Sequence, residues 1–286
     1  MHPTLSLDSA LPLDSNECRA KLSNHDARRV KLAAARLLRR HAARRSYRVD
    51  GKKRKLAKDP LMSATVAAFG EPFKIAVFAD ITCPWCYIGK RRLETVLAAS
   101  PNVPFEIDWR AFQRDPALPA DGVAWQSGIA RGNGRTHVDA TSRIEATLAE
   151  IIAAGHEVGL SFAFDKIAKV PNTFDAHRLI YWAYPSVTKS RIVERLFKAH
   201  FMDGLDIGDR NQLIALAQES GMDGDSAFDL FARRDDIDVL RREIEISRAL
   251  VNQVPFFIFS DDVVVPGGRS EEELKHALAK AIAEAT

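Results

Sequence analysis

The stretch FKIAVFADITCPWCYIGK, residues 73–90, decides the fold. Its first seven residues form a short apolar run with Ile75, Val77 and Phe78, bounded by Pro72 and Asp80, as expected of a buried strand. A helix should then begin at Pro84, because proline is tolerated at the first helical position, where its missing N–H costs no bond. Leu93, Val96 and Leu97 continue the helix on one face. Cys83 thereby becomes the N-cap. A thiolate there meets unpaired backbone N–H groups and the positive end of the helix dipole, and both lower its pKa. Cys86, three residues on, lies on the same face within disulfide reach. Cys83 is expected to be the more exposed thiol and the nucleophile, with Cys86 the resolving thiol. A metal site would need about four ligands, and the third cysteine, Cys18, has no CxxC of its own. The remaining reading makes Cys83 and Cys86 two small helix hydrophobes.

Working outward, Val254-Pro255-Phe256-Phe257-Ile258-Phe259 begins with proline and continues as an apolar strand. A proline opening a strand is compatible with a cis peptide in a tight turn. VVVPGG at 263–268 supplies a further strand and turn. SEEELKHALAKAIAEA at 270–285 forms an amphipathic helix whose Ser270 and Glu273 have capping-box spacing. The spacing thus predicts an α/β thioredoxin-like layer from residues 70–111 and 251–286. Residues 112–250 read as a helical insertion, its last helix packing on that layer. Apolar residues repeat there at helical spacing: Ile144, Leu148, Ile151 and Ile152, then Ile192, Val193, Leu196 and Phe197, then Leu213, Ile214 and Ala217, then Ile237, Leu240 and Ile244.

The whole chain has 286 residues, 46% hydrophobic and 28% charged, ordinary for a globular protein and too apolar for wholesale disorder. No apolar run approaches the length of a membrane span, and the N-terminus has no basic region leading into an apolar one. A cytoplasmic enzyme is therefore expected. Its net charge of +3 hides an asymmetry: residues 1–61 carry 16 Lys and Arg against 6 Asp and Glu, and the remainder 25 against 32. The acidic body is not built as a general nucleic-acid binder. The basic extension, with RRVKLAAARLLRRHAARR at 28–45 and KKRK at 52–55, suits a solvated tail, flexible or helical. A nucleic-acid or anionic-membrane patch and an Arg-rich targeting segment are the alternatives.

CPWCYIGK after a strand, NTFDAHRLIYWA at 172–183 and the late VPFF together resemble the FrnE-like branch of DsbA-type thioredoxin-fold oxidoreductases. The resemblance covers about residues 70–285. This branch is related to 2-hydroxychromene-2-carboxylate isomerases and kappa-class glutathione transferases. It implies thiol–disulfide exchange through Cys83 and Cys86 and a cis-proline at Pro255, with the Val254 backbone pairing to substrate. Its implied partners are thiol or disulfide substrates, protein or small-molecule, with glutathione a reductant or co-substrate and no tightly bound cofactor. A glutathione-dependent isomerase or transferase is the alternative activity, although such relatives usually have serine in place of the first cysteine. Related oxidoreductases often carry a buried acid six positions before that cysteine. Here the position holds Val77, so Asp80 and solvent become the candidate proton acceptors. Gln253 replaces a usual glycine, and Pro266-Gly267-Gly268-Arg269 replaces a usual Ser-Gly-Ala-Gln-like turn. Pro84, Trp85 and Tyr87 are candidate substrate contacts, and Asn172, His177 and Arg178 candidate cleft residues; Trp85, Tyr87, His177 and Arg178 also read as packing residues.

Other motifs carry less. His156-Glu157 lacks a second histidine at metal spacing, and RGNGRT at 131–136 lacks the end of a phosphate loop. Asp203, Asp206 and Asp209 lack a calcium-loop pattern, and Asp209 reads as a helix cap.

Overall fold

The computed structural model describes residues 72–127, 139–184, 186–260 and 262–285, and before them only a two-residue antiparallel strand pair, 48–49 with 52–53. The helical expectation for 28–45, the third cysteine Cys18 and the RGNGRT segment lie outside the described residues, as does the side chain of Ile144.

A four-stranded sheet organises the thioredoxin-like layer. Strand β1 (Phe73–Ala79) lies parallel to β2 (Phe105–Ala111) and antiparallel to β5 (Phe256–Phe259), which pairs antiparallel with β6 (Val263–Pro266). The spatial order is β2-β1-β5-β6. From Ile75 onward in β1, and throughout β5, both faces are covered, which is why these stretches read as apolar runs rather than alternating ones. Ile75 to Ala79 and Phe256 to Phe259 are all buried. Helix α1 (Pro84–Ala98) connects β1 to β2.

The chain then leaves the layer. It forms β3 (Val123–Ala124), α2 (Asp139–Glu157), a single 3-10 turn and β4 (Lys169–Val170), which pairs with β3. Five helices follow: α3 (Phe174–Trp182), α4 (Ser186–Phe201), α5 (Arg210–Glu219), α6 (Gly224–Ala232) and α7 (Ile237–Leu250). The β3–β4 pair is not foreseen from sequence, because two residues are too few to show a period. Asp209 caps α5 by accepting the Gln212 N–H at 2.9 Å. Helix α7 returns to the layer, setting Leu240 and Ile244 near Ala111 of β2. The chain ends in α8 (Glu271–Ala285), whose start is closed by a reciprocal bond pair: Ser270 N–H donates to Glu273 at 3.1 Å, and the Ser270 hydroxyl accepts the Glu273 N–H at 3.3 Å.

Two clusters fasten the insertion to α1. Tyr87 stacks on Phe197 with ring centroids 4.9 Å apart, Phe201 extends the stack, and Phe162 meets it edge-on. Its hydroxyl donates to Glu194 at 2.8 Å, and the buried Lys90 ammonium reaches the same carboxylate at 2.6 Å. Tyr87 is fully buried and belongs to this packing.

His200, on α4, lies in the same interior with its ring 4.7 Å from that of Phe201. Burial pushes its imidazole from an ordinary 6.5 down to about 4. Between those values the unfolded chain takes up a proton that the native protein refuses, so stability falls as pH drops from about 6.5 to 4. The loss amounts to about 3 kcal/mol. Urea unfolding of native protein and of His200→Leu across this range should show the native slope flattened in the variant.

Candidate active site

The β1–α1 junction forms as the residues require. Asp80 ends the strand, its carbonyl accepts the Cys83 N–H at 3.0 Å, and Cys83 then holds an extended conformation at the N-cap with Pro84 opening α1. The Cys83 carbonyl accepts the Cys86 N–H at 3.0 Å, which tightens the first turn and sets the two thiols on one side. Cys83 is 4% exposed and Cys86 1%. The expected difference in exposure is therefore small, because the segment before β5 reaches Cys83. Cys83 Sγ lies 3.7 Å from the Val254 carbonyl oxygen.

The Val254–Pro255 peptide is cis. Pro255 is buried, and its own carbonyl accepts the Gly267 N–H at 2.8 Å, which ties the segment to the turn after β6. Its ring packs on α1 at Gly89, where a Cβ would stand 2.9 Å from Pro255 Cγ and 3.1 Å from Phe257 Cζ. Gly89 thus sets how closely the proline approaches the thiols, a role invisible without the tertiary contact. Gly89→Ala should lower stability by about 1 kcal/mol or more, overpacking outweighing the gain in helix propensity. It should also slow thiol exchange at Cys83, which urea unfolding and stopped-flow kinetics would measure.

Trp85 is 8% exposed and covers the backbone of Gly268, where a Cβ would meet its indole at 3.0 Å. Pro84 is buried at the start of the same helix. Arg92 donates to the carbonyls of Gly268 and Arg269 at 3.2 and 3.1 Å and locks that turn against α1.

The two thiols are not equivalent. Burial pushes both up. At Cys83 the hydrogen bond from the Cys86 side chain and the positive charge of Arg114 outweigh burial, and its pKa lies below the ordinary thiol value. At Cys86 burial is reinforced by the bond to Cys83 and the anion forming there, and its pKa lies well above that value. Arg114 is the contribution that the sequence does not reveal. It follows β2 in an irregular segment, held by its N–H on Asp80 at 2.8 Å and by Arg248 on its carbonyl at 2.9 Å.

The three candidates from α3 and the loop before it separate. Asn172 accepts from the Gln113 side chain and from the Phe174 N–H, both at 3.0 Å, and donates to the Leu118 carbonyl at 2.8 Å. His177 Nε2 lies 3.2 Å from the Phe112 carbonyl and 3.8 Å from Asp80. Both therefore hold the segment that carries Arg114. Arg178 points the other way, into the helical insertion, where its guanidinium meets Asp236 at 2.8 Å; it does not line the thiol site. Among the described residues no cluster of three or more His, Cys, Asp or Glu is placed to hold a metal. No helix there is long and apolar enough to cross a membrane.

Comparison with known proteins agrees with this architecture. The family model of the DSBA-like thioredoxin domain matches residues 74–279. The chain is 25% identical over 216 residues to the uncharacterized protein YwbO of Bacillus subtilis (strain 168), spanning 72% of this chain and 95% of that one. The crystal structure of a "probable DsbA oxidoreductase" from Streptomyces coelicolor superposes with a TM-score of 0.66 at 26% identity, covering 75% of this chain and 92% of the other. A 2-hydroxychromene-2-carboxylate isomerase shares the fold at a TM-score of 0.56 and 16% identity, over 74% of this chain and 97% of its own. The chain belongs to the DSBA-like thioredoxin domain family, a family of thiol–disulfide oxidoreductases.

Proposed function

We propose that this DSBA-like chain is a dithiol–disulfide oxidoreductase of the FrnE-like branch, working through Cys83 and Cys86. The observation that carries the reading is the unequal pair at the head of α1: a thiol with depressed pKa at the N-cap, and a deeper one raised well above its ordinary value. Only the thiolate is a competent nucleophile, so charge is concentrated on Cys83. In the reducing direction the Cys83 thiolate attacks a substrate disulfide, forming a mixed disulfide and releasing one substrate thiolate. Cys86 then gives its proton to water and attacks Cys83 Sγ, closing the Cys83–Cys86 disulfide and releasing the second thiolate, which takes up a proton from solvent. The reverse sequence oxidises a substrate dithiol. The Val254 carbonyl beside Cys83 is the backbone acceptor for an extended substrate, with Pro84, Trp85 and Pro255 forming its walls. Substrates are protein or small-molecule thiols and disulfides, and glutathione is the reductant or co-substrate rather than a resident cofactor. The reading places the protein in the cytoplasm, where such a dithiol is kept reduced.

A redox titration of the pair against glutathione, with an insulin reduction assay beside it, tests this. A single two-electron transition assigned to Cys83 and Cys86, with catalysed insulin reduction, is expected. A protein without that transition, yet active as a glutathione-dependent isomerase, would overturn the reading.

A further inference from the structure

A carboxylate is buried beside the two thiols, and the exchange chemistry above leaves it without a role. Asp80 is 2% exposed. Its Oδ2 accepts the Arg114 N–H at 2.8 Å, and its Oδ1 lies 3.4 Å from the Thr82 nitrogen and 3.8 Å from His177 Nε2. Because its own carbonyl binds the Cys83 N–H, the group stands at a fixed place next to the CPWC turn. His177 is 3% exposed, and its Nε2 lies 3.2 Å from the Phe112 carbonyl. A carbonyl can only accept, so Nε2 carries the hydrogen and the ring is fixed in that tautomer. The groups around this pair are Cys83 and Cys86 from α1, Arg114 from the segment after β2, and His200 from α4. Behind the sheet, Arg110 and Glu243 share with His177 the lining of a narrow cavity between β1, β2, α3 and α7.

We propose that the Asp80 carboxylate, held by His177 and the Arg114 N–H, is a fixed anion that confines the thiolate to Cys83 and keeps Cys86 protonated until the mixed disulfide has formed. Asp80 is then a positioning residue that stays ionised, not the acceptor of the Cys86 proton. Burial alone would neutralise the carboxyl, but the His177 ring and the Arg114 N–H outweigh it and hold the group below the usual carboxylate range. Proton transfer to it from a thiol raised well above its ordinary value would run far uphill. A permanent anion in a poorly solvated site instead penalises a second negative charge nearby. The Asp80 charge acts on both thiols, but Cys83 is compensated by Arg114 and by the Cys86 donors, whereas the bond of Cys86 to the Asp80 backbone does not outweigh its burial and the neighbouring anions.

The proposal takes its significance from the redox reading, but it concerns ionisation and is tested without substrate. The full-length reduced protein, labelled with carbon-13 at cysteine Cβ, is titrated by NMR. In Asp80→Asn, which keeps an acceptor for the Arg114 N–H, the Cys86 midpoint should fall by about one pH unit or more, a tenfold gain in ionisation at fixed pH. The Cys83 midpoint should move less. His177→Phe removes a group that keeps Asp80 ionised and should lower the Cys86 midpoint toward its Asp80→Asn value, whereas His177→Gln, which retains an N–H donor, should restore the native value. An unmoved Cys86 midpoint in folded Asp80→Asn overturns the proposal. Should that variant not fold, an unmoved midpoint in folded His177→Phe overturns it equally. Absence of turnover on every disulfide substrate, with these shifts intact, would sink the redox reading and leave the fixed Asp80 anion standing.

Discussion

Cys86→Ser should abolish turnover while leaving covalent complexes trapped on Cys83. The substitution spares the nucleophile: Arg114 and the backbone N–H at position 86 still stabilise its thiolate, although the hydrogen bond from the Cys86 side chain is weakened. What disappears is the second thiolate, among the described residues the only other thiol able to attack Cys83 Sγ and release the bound substrate thiol. Non-reducing electrophoresis should show accumulating mixed disulfides, all lost in Cys83→Ser, and insulin reduction by either variant should fall to background. The isomerase alternative makes the opposite forecast. There the working thiol belongs to glutathione, Cys86 is a packing residue, and both variants keep their activity. Retained reductase activity in Cys86→Ser would refute the dithiol mechanism.

The residues that carry this chemistry are legible in the sequence because their chemistry is local. A proline after Cys83 fixes where the helix starts, three residues fix where Cys86 points, and short-range spacing likewise yields the caps at Asp209 and Ser270. The modulators of the thiols are not legible, because each acts through a contact between distant segments. Arg114 sits in an irregular stretch with no period to read, and it reaches the site only because Asp80 and Arg248 hold its backbone. Gly89 looks like an ordinary weak spot in a helix until Pro255 is seen packed on it. His177 and Arg178 are adjacent and equally polar, so no sequence pattern separates them. On the helix they diverge by a hundred degrees or so, which sends one toward the thiols and the other away.

Arg178 consequently carries the largest expected effect on stability. Its side chain is 1% exposed and all three of its nitrogens are bonded: Nε and Nη2 bind the two Asp236 oxygens at 2.8 and 2.9 Å, Nη1 binds Asp175 at 3.0 Å, and Nη2 also reaches the Leu230 and Arg233 carbonyls at 2.8 and 2.9 Å. Helices α3 and α6 and the start of α7 thus converge on one guanidinium. Arg178→Met would keep much of the packing volume but leave the buried Asp236 carboxylate with the Trp182 indole N–H, 3.0 Å away, in place of its cation. Breaking a buried pair from one side costs about 3–5 kcal/mol. At roughly 2–4 °C per kcal/mol for a domain of this size, the melting temperature should fall by about 10 °C. Arg178→Lys keeps the charge but not the planar fork, and should fall between the two. Thiol exchange per folded molecule, measured well below the transition, should stay near native, since the guanidinium faces away from Cys83. A variant that melts like the native protein yet exchanges thiols poorly would return Arg178 to the cleft.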